Sequence, residues 1–268
     1  MRAAVRTYWR LVVSGFRQES HYRLAAFAGL VANVTFGFLK AAILFATVRA
    51  SGGHLQDYDV GSMSAYVWLS QGMLGMVNLS GTHELGERIR TGDIAVDFSR
   101  PVDIQGSYLA RFLGARVFTV IPRGLPSVAV GALTVGMTMP TTTQPYLLGL
   151  VSMLLGIAVS FGCVYAIHVL GFWLVETRGL QLLYMVVSGF FAGLFVPLPL
   201  FPQWLYDAAY ATPFPSVMMT PINVLSGQLA GIAAWHALVV QVAWLAGVLL
   251  AGRLLTNAGL RKLEVQGG

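Results

Sequence analysis

YLLGLVSMLLGIAVSFGCVYAIHVLGFWL, Tyr146 to Leu174, runs without one Asp, Glu, Lys or Arg. A helix crosses the hydrocarbon core of a bilayer with about 20 mostly apolar residues, and this stretch is longer than that. Working outward from it, five further stretches qualify: Leu24 to Val48, Met63 to Leu79, Phe118 to Met137, Leu180 to Val196 and Ala233 to Leu255. The third in chain order contains Pro122 and Pro126, and Ser64, Ser70, Gln71 and Asn78 dilute the second. Composition agrees. Of 268 residues 56% are hydrophobic and only 10% charged, whereas a soluble domain carries about 25% charge. These charges are too few to cover a water-exposed surface. Cys163 is the single cysteine, which excludes an intrachain disulfide and a multi-thiolate metal site. The expected class is an all-α integral membrane protein with six transmembrane helices.

Basic residues orient the spans, because cytoplasmic loops retain Lys and Arg. Arg2, Arg6, Arg10, Arg17 and Arg23 precede the first span, and Arg88, Arg90, Arg100, Arg111 and Arg116 lie between the second and third. Arg178 separates the fourth from the fifth, and Arg253, Arg261 and Lys262 close the sixth. The opposite loops hold Arg49 alone. Both termini are therefore expected in the cytoplasm, and the net charge of +6 reflects this sorting rather than a nucleic-acid partner. The first apolar stretch is too long for a signal peptide and is interrupted by Lys40, so no cleaved leader is expected. Asn33-Val-Thr35 and Asn78-Leu-Ser80 fit the glycosylation acceptor pattern but fall in or beside spans, and are discounted.

The remaining pieces lie off the spans. Residues 1–23 carry Arg2, Arg6, Arg10 and Arg17 on one helical stripe and Val5, Trp9, Val12, Val13 and Phe16 on the other. That pattern is an amphipathic helix lying in the bilayer interface, either a plain anchor or one that also touches a partner. Residues 24–268 form a single transmembrane domain. Within it, residues 81–116 read GTHELGERIRTGDIAVDFSRPVDIQGSYLARFLGAR. The five arginines are balanced by Glu84, Glu87, Asp93, Asp97 and Asp103, so anionic lipid does not explain the segment. Glu84 and Arg88 stand four apart on an expected helix, Gly92 breaks it, Pro101 pushes Arg100 out of helix, and Asp103 caps the helix entering the third span. With Leu85, Ile89, Ile94, Val96 and Phe98 interleaved, the segment reads as a cytoplasmic docking surface for a soluble protein. Residues 197–228 hold six prolines, several aromatics and one charge, Asp207. Short broken helices re-entering the outer leaflet fit that composition.

Catalytic chemistry is missing. His83-Glu84 opens an HExxH zinc pattern, but Glu87 occupies the fifth position. No phosphate-binding GxxxxGK[ST] loop occurs. Leu225-Ser226-Gly227-Gln228 matches an ATPase signature only in truncated form and is read as coincidence. All eleven acids lie in loops or at span ends, which disfavours an ion-coupled carrier. Lys40 is expected to snorkel to the outer surface, Arg123 to snorkel inward, His168 to be a hydrogen-bonded packing residue, and Glu176 and Arg178 to form a local ion pair.

Three stretches carry a family resemblance. The first is Glu84-Leu85, Ile89-Arg90-Thr91-Gly92-Asp93-Ile94, Asp97 and Arg100-Pro101-Val102-Asp103; the second is Leu109-Ala110-Arg111, Gly114, Arg123 and Leu125-Pro126. The third is Ser188-Gly189, Pro197, Phe201-Pro202, Trp204-Leu205, Pro213-Phe214, Pro221 and Gly227. With the hydropathy pattern, the chain resembles the ABC type-2 permeases, membrane subunits of bacterial ABC exporters, in the subgroup encoded beside a separate ATPase. The resemblance implies a multi-pass half-transporter of the bacterial plasma (inner) membrane, paired with a second permease chain as a homodimer or related heterodimer. It implies an ABC ATPase partner that carries ATP and Mg, and no cofactor, metal or catalytic residue on this chain. Docking falls to Glu84, Glu87, Arg90, Gly92, Asp93, Asp97 and Arg100. The path, lined by the second and fifth spans, falls to Ser70, Gln71, Asn78, Met185, Ser188, Phe190 and Phe191. The competing reading is a membrane anchor or scaffold that recruits a soluble partner without transporting anything.

Overall fold

The structure, a computed structural model, describes residues 2–81, 84–174 and 176–266; His83, which opens the broken zinc pattern, lies outside them. Among the described residues every regular element is a helix. In chain order these are α1 (Arg2–Ser20), α2 (Arg23–Ala50), α3 (Val60–Leu74), α4 (Glu84–Thr91), α5 (Ile94–Phe98), α6 (Ile104–Thr119), α7 (Leu125–Thr134), α8 (Gln144–Val169), α9 (Arg178–Phe191), α10 (Gln203–Tyr210), α11 (Phe214–Val217), α12 (Met219–Leu225) and α13 (Gly231–Gln266).

Among the described residues, four helical stretches are long and apolar enough to cross a membrane: Arg23–Ala50, Ile104–Thr134, Gln144–Phe172 and Gly231–Lys262. The second of these joins α6 to α7 and begins well before Phe118, the expected start of the third span. Two sequence features cause this. Asp103 caps α6, accepting from the Gly106 backbone amide at 2.7 Å, so the helix starts at once. Pro122, which has no N–H to give, falls in a π-turn from Val120 to Gly124 that carries the helix through. Arg111 and Arg116, counted as loop bases, ride on this helix.

The expected second and fifth spans are shorter than predicted. α3 has 15 residues and α9 has 14, about 21–22 Å at 1.5 Å per residue, against about 30 Å of hydrocarbon. α3 starts from an Asp59–Ser62 capping box and is buried from Met63 to Met73. It packs against α2, α7 and α12. The chain then leaves the helix at Gly75 while still inside the protein, and its backbone is satisfied by neighbouring side chains. Asn78 N–H donates to Ser160 Oγ (3.2 Å), and Tyr184 donates to the Asn78 carbonyl (2.8 Å). Ser188 donates to the Leu79 carbonyl (3.4 Å) and the Gly81 amide donates to Asn78 Oδ1 (3.1 Å). Irregular backbone at this depth persists only where protein groups satisfy it.

Polar contacts inside the bundle follow the same logic. Gln241 of α13 donates to the carbonyls of Ser152 (3.1 Å) and Ser216 (2.8 Å) and accepts from Ser152 Oγ (2.7 Å), tying α8, α11 and α13. Arg123 does not snorkel inward: it donates to Asn33 Oδ1 (3.2 Å), and Asn33 donates onward to the Gln71 carbonyl (2.9 Å). Lys40 does not snorkel outward either. Its ammonium points into the bundle, to Tyr66, Ser70 and the Leu194 carbonyl. His168, 2% exposed, meets the Gly81 carbonyl at 2.9 Å. Glu176 accepts from the backbone amide of Arg178 (2.9 Å) rather than from its guanidinium.

α1 is helical as expected, but its apolar stripe is divided. Val5 and Trp9 are exposed, while Phe16 stands edge-on to Phe118 and the Val12–Gly15 turn lies directly on α6. A Cβ on Gly15 would overlap the Arg111 carbonyl, and one on Gly114 would overlap the Val12 carbonyl. The two helices touch backbone to backbone, the close approach that small residues permit.

Candidate coupling surface and path residues

The loop between α3 and α6 folds as two short helices. Gly92 separates them with a φ of +82° and open space where a side chain would stand. That left-handed backbone is where glycine carries no Cβ penalty. Leu85 and Ile94, at 1% exposure each, point into the bundle, so these apolar residues are buried by the chain itself and need no partner. Val96 stays exposed.

The charges divide into an inner and an outer set. Arg88 pairs with Asp97 at 2.7 Å, and Tyr108 of α6 donates to the same Asp97 Oδ2 at 2.7 Å. Glu84 pairs with Arg111 of α6 at 2.9 Å, not with Arg88 as the i,i+4 spacing suggested. Asp103 lies 3.6 Å from Arg253 of α13. These contacts pin α4 and α5 to α6, and the start of α6 to α13. The hydrogen bond from Arg88 to Asp97 holds the Arg88 guanidinium above its ordinary pKa.

Of the seven predicted docking residues, Glu84 and Asp97 are tied to α6, Glu84 while its side chain stays 44% exposed. The outer set is Glu87, Arg90, Gly92, Asp93 and Arg100, all exposed. Arg90 Nε meets Glu87 Oε2 at 3.1 Å, and this hydrogen bond lowers the Glu87 carboxyl below the usual range. Asp93 accepts from Thr91 Oγ1 at 2.9 Å. The outer face thus presents a mixed-charge ridge on a firmly attached base. Sequence reading missed the pins Tyr108, Arg111 and Arg253, because they lie 11, 27 and 150 residues from their partners and no local spacing signals such pairs.

The predicted path residues separate as well. Ser70, Gln71, Asn78 and Ser188 are buried; Asn78 and Ser188 hold the irregular backbone just described, and Ser70 Oγ donates to Val67 and receives Lys40. Met185 and Phe190 are exposed on α9 together with Leu182, Leu183 and Val186. Phe190 stacks on Phe201 at 4.8 Å between centroids, and Phe191 is half-buried beside it. α9 thus presents an exposed apolar face.

The sequence model of a family described as ABC-2 family transporter protein matches residues 33–267. No curated protein matches the sequence.

Proposed function

The chain belongs to the ABC-2 family of transporter proteins, and on that premise we propose that it is the permease subunit of an ATP-driven exporter in a bacterial inner membrane. Two permease chains pair, each docked on an ABC ATPase subunit that carries ATP and Mg. The observation that carries the reading is the α4–α5 ridge. Its outer charges face away from the bundle while its inner charges are tied to α6, so force applied at the ridge passes to a spanning helix rather than being lost in a loop. α3 and α9, with the irregular segments that follow them, complete six crossings and leave both termini in the cytoplasm. The exposed face of α9 is the surface on which the second permease sits, and the path forms between the two chains.

Co-expression with the ATPase tests this directly. The permease and ATPase co-purify and hydrolyse ATP with turnover that cargo modulates, while the permease alone is silent in an ATPase assay because it has no phosphate-binding loop. Turnover by the pure chain, or a stable complex that moves no cargo, would overturn the reading; the latter outcome is what a scaffold gives.

Topology has its own test. In a Cys163→Ser background, Gly53→Cys and Asp207→Cys react with an impermeant maleimide from outside intact cells, and Asp93→Cys and Gln266→Cys do not. Labelling at position 93 from outside reverses the orientation.

A further inference from the structure

We infer that the groove between α2, α3 and the Leu194–Val196 segment binds an anionic single-chain amphiphile, with Lys40 as its counter-ion. The groove has a volume of about 610 Å³, within the range of small-molecule sites. Phe36, Leu39, Ile43 and Phe195 form its mouth, each more than half exposed, on a surface that a family member places in lipid. Among the described residues that line it, Lys40 and Gln71 alone have polar side chains.

Lys40 lacks a counter-charge and Gln71 lacks a donor for its side-chain oxygen. The Lys40 ammonium donates to Tyr66 Oη (3.1 Å), Ser70 Oγ (3.0 Å) and the Leu194 carbonyl (2.6 Å), and stands 4.2 Å from the Tyr66 ring centre. Every one of these partners is neutral, and among the described residues no carboxylate pairs with it. An ionised group inside a membrane protein is costly and is retained where something pairs with it. Leu194 itself lines the groove, so an entering anion takes the place of its carbonyl. That replaces a neutral acceptor by a charged one, roughly twice as strong. Beside it, Gln71 is 3% exposed and its Oε1 has no hydrogen-bond partner. A head group with an N–H or O–H next to its anion supplies the missing donor. The occupant that meets all three demands carries an apolar tail for the mouth, an anion for Lys40 and a donor for Gln71.

The inference rests on the chain being membrane-embedded and not on its docking to an ATPase. Binding is therefore read on the permease alone, and a failure of coupling leaves it unaffected. The probe is tritiated N-lauroylglycine, whose carboxylate adjoins an amide N–H, titrated onto the full chain in phosphatidylcholine nanodiscs. Its neutral methyl ester is the comparison. Expected is saturable binding with the acid preferred by about 10- to 100-fold, the range of a charge-assisted hydrogen bond. Lys40→Met removes the preference and Lys40→Arg keeps it. Gln71→Leu weakens acid and ester alike by about 2- to 10-fold. Equal binding of acid and ester to the wild type overturns the proposal, as does a preference that survives Lys40→Met. So does efficient disulfide formation between Phe36→Cys residues of two copies in a Cys163→Ser background, since the groove would then be covered by a second chain. If Lys40→Met fails to purify as a monodisperse protein, the acid-to-ester ratio in the wild type and in Lys40→Arg still decides.

Discussion

Arg90→Glu, or Gly92→Trp, abolishes ATP-driven transport and strips the ATPase from the purified complex while the permease stays folded. Glu87 and Arg90 are both 62% exposed as side chains, and an exposed pair of this kind contributes only about 0–1 kcal/mol to stability. Trp at position 92 enters open space and bears only the left-handed backbone penalty, about 1–2 kcal/mol. Neither change reaches the core, so whatever is lost is lost at a partner. Truncating a charge that is buried and hydrogen-bonded across an interface costs about 2–5 kcal/mol, which is more than tenfold in affinity. The sharper variant is the exchange Glu87→Arg with Arg90→Glu. It preserves the pair within α4 and reverses only the pattern shown outward. The measurements are transport, co-purification and thermal unfolding, beside Arg261→Glu in the last helix. If the ridge variants behave like Arg261→Glu, α4 and α5 are a solvated connector. Glu84→Arg is the wrong probe, because it sets two arginines against each other at the Arg111 pin.

Gly114→Val and Gly15→Val each detach α1 from α6 and destabilise the protein by about 1–3 kcal/mol, the usual cost of overpacking. The clash in both cases is with a backbone carbonyl, which has no rotamer by which to move aside. Relief requires the helices to part, exposing Val12 and undoing the Phe16–Phe118 contact. Gly179→Val is the control, since nothing lies within 4 Å of its Cβ position. Thermal unfolding and protease cleavage after Arg17 report the effect. If Gly114→Val matches Gly179→Val on both measures, α1 is held by the bilayer rather than by α6.

Sequence alone determined whatever depends on neighbours a few residues away. Apolar length located α2, the α7 end of the α6–α7 rod, α8 and α13, because a spanning helix satisfies its backbone internally and needs no partner to be recognised. Gly92 ends α4 and Asp103 begins α6 for equally local reasons, a left-handed backbone and a side-chain acceptor for a free amide. The arginine stripe on α1 and the missing phosphate-binding loop are of the same kind. Tertiary structure decided the rest. α3 stops short at Leu74 because Ser160, Tyr184 and Ser188, contributed by α8 and α9, satisfy the backbone that a longer helix would have satisfied itself. Lys40 turns inward because Tyr66, Ser70 and the Leu194 carbonyl offer three acceptors at once, where snorkelling would have offered water. Glu84 takes Arg111 in place of Arg88 because the packing of α4 beside α6 brings a distant guanidinium within 2.9 Å while Asp97 claims the near one. In each case the competing partner is remote along the chain, and a hydrogen bond or ion pair goes to the partner that folding brings close.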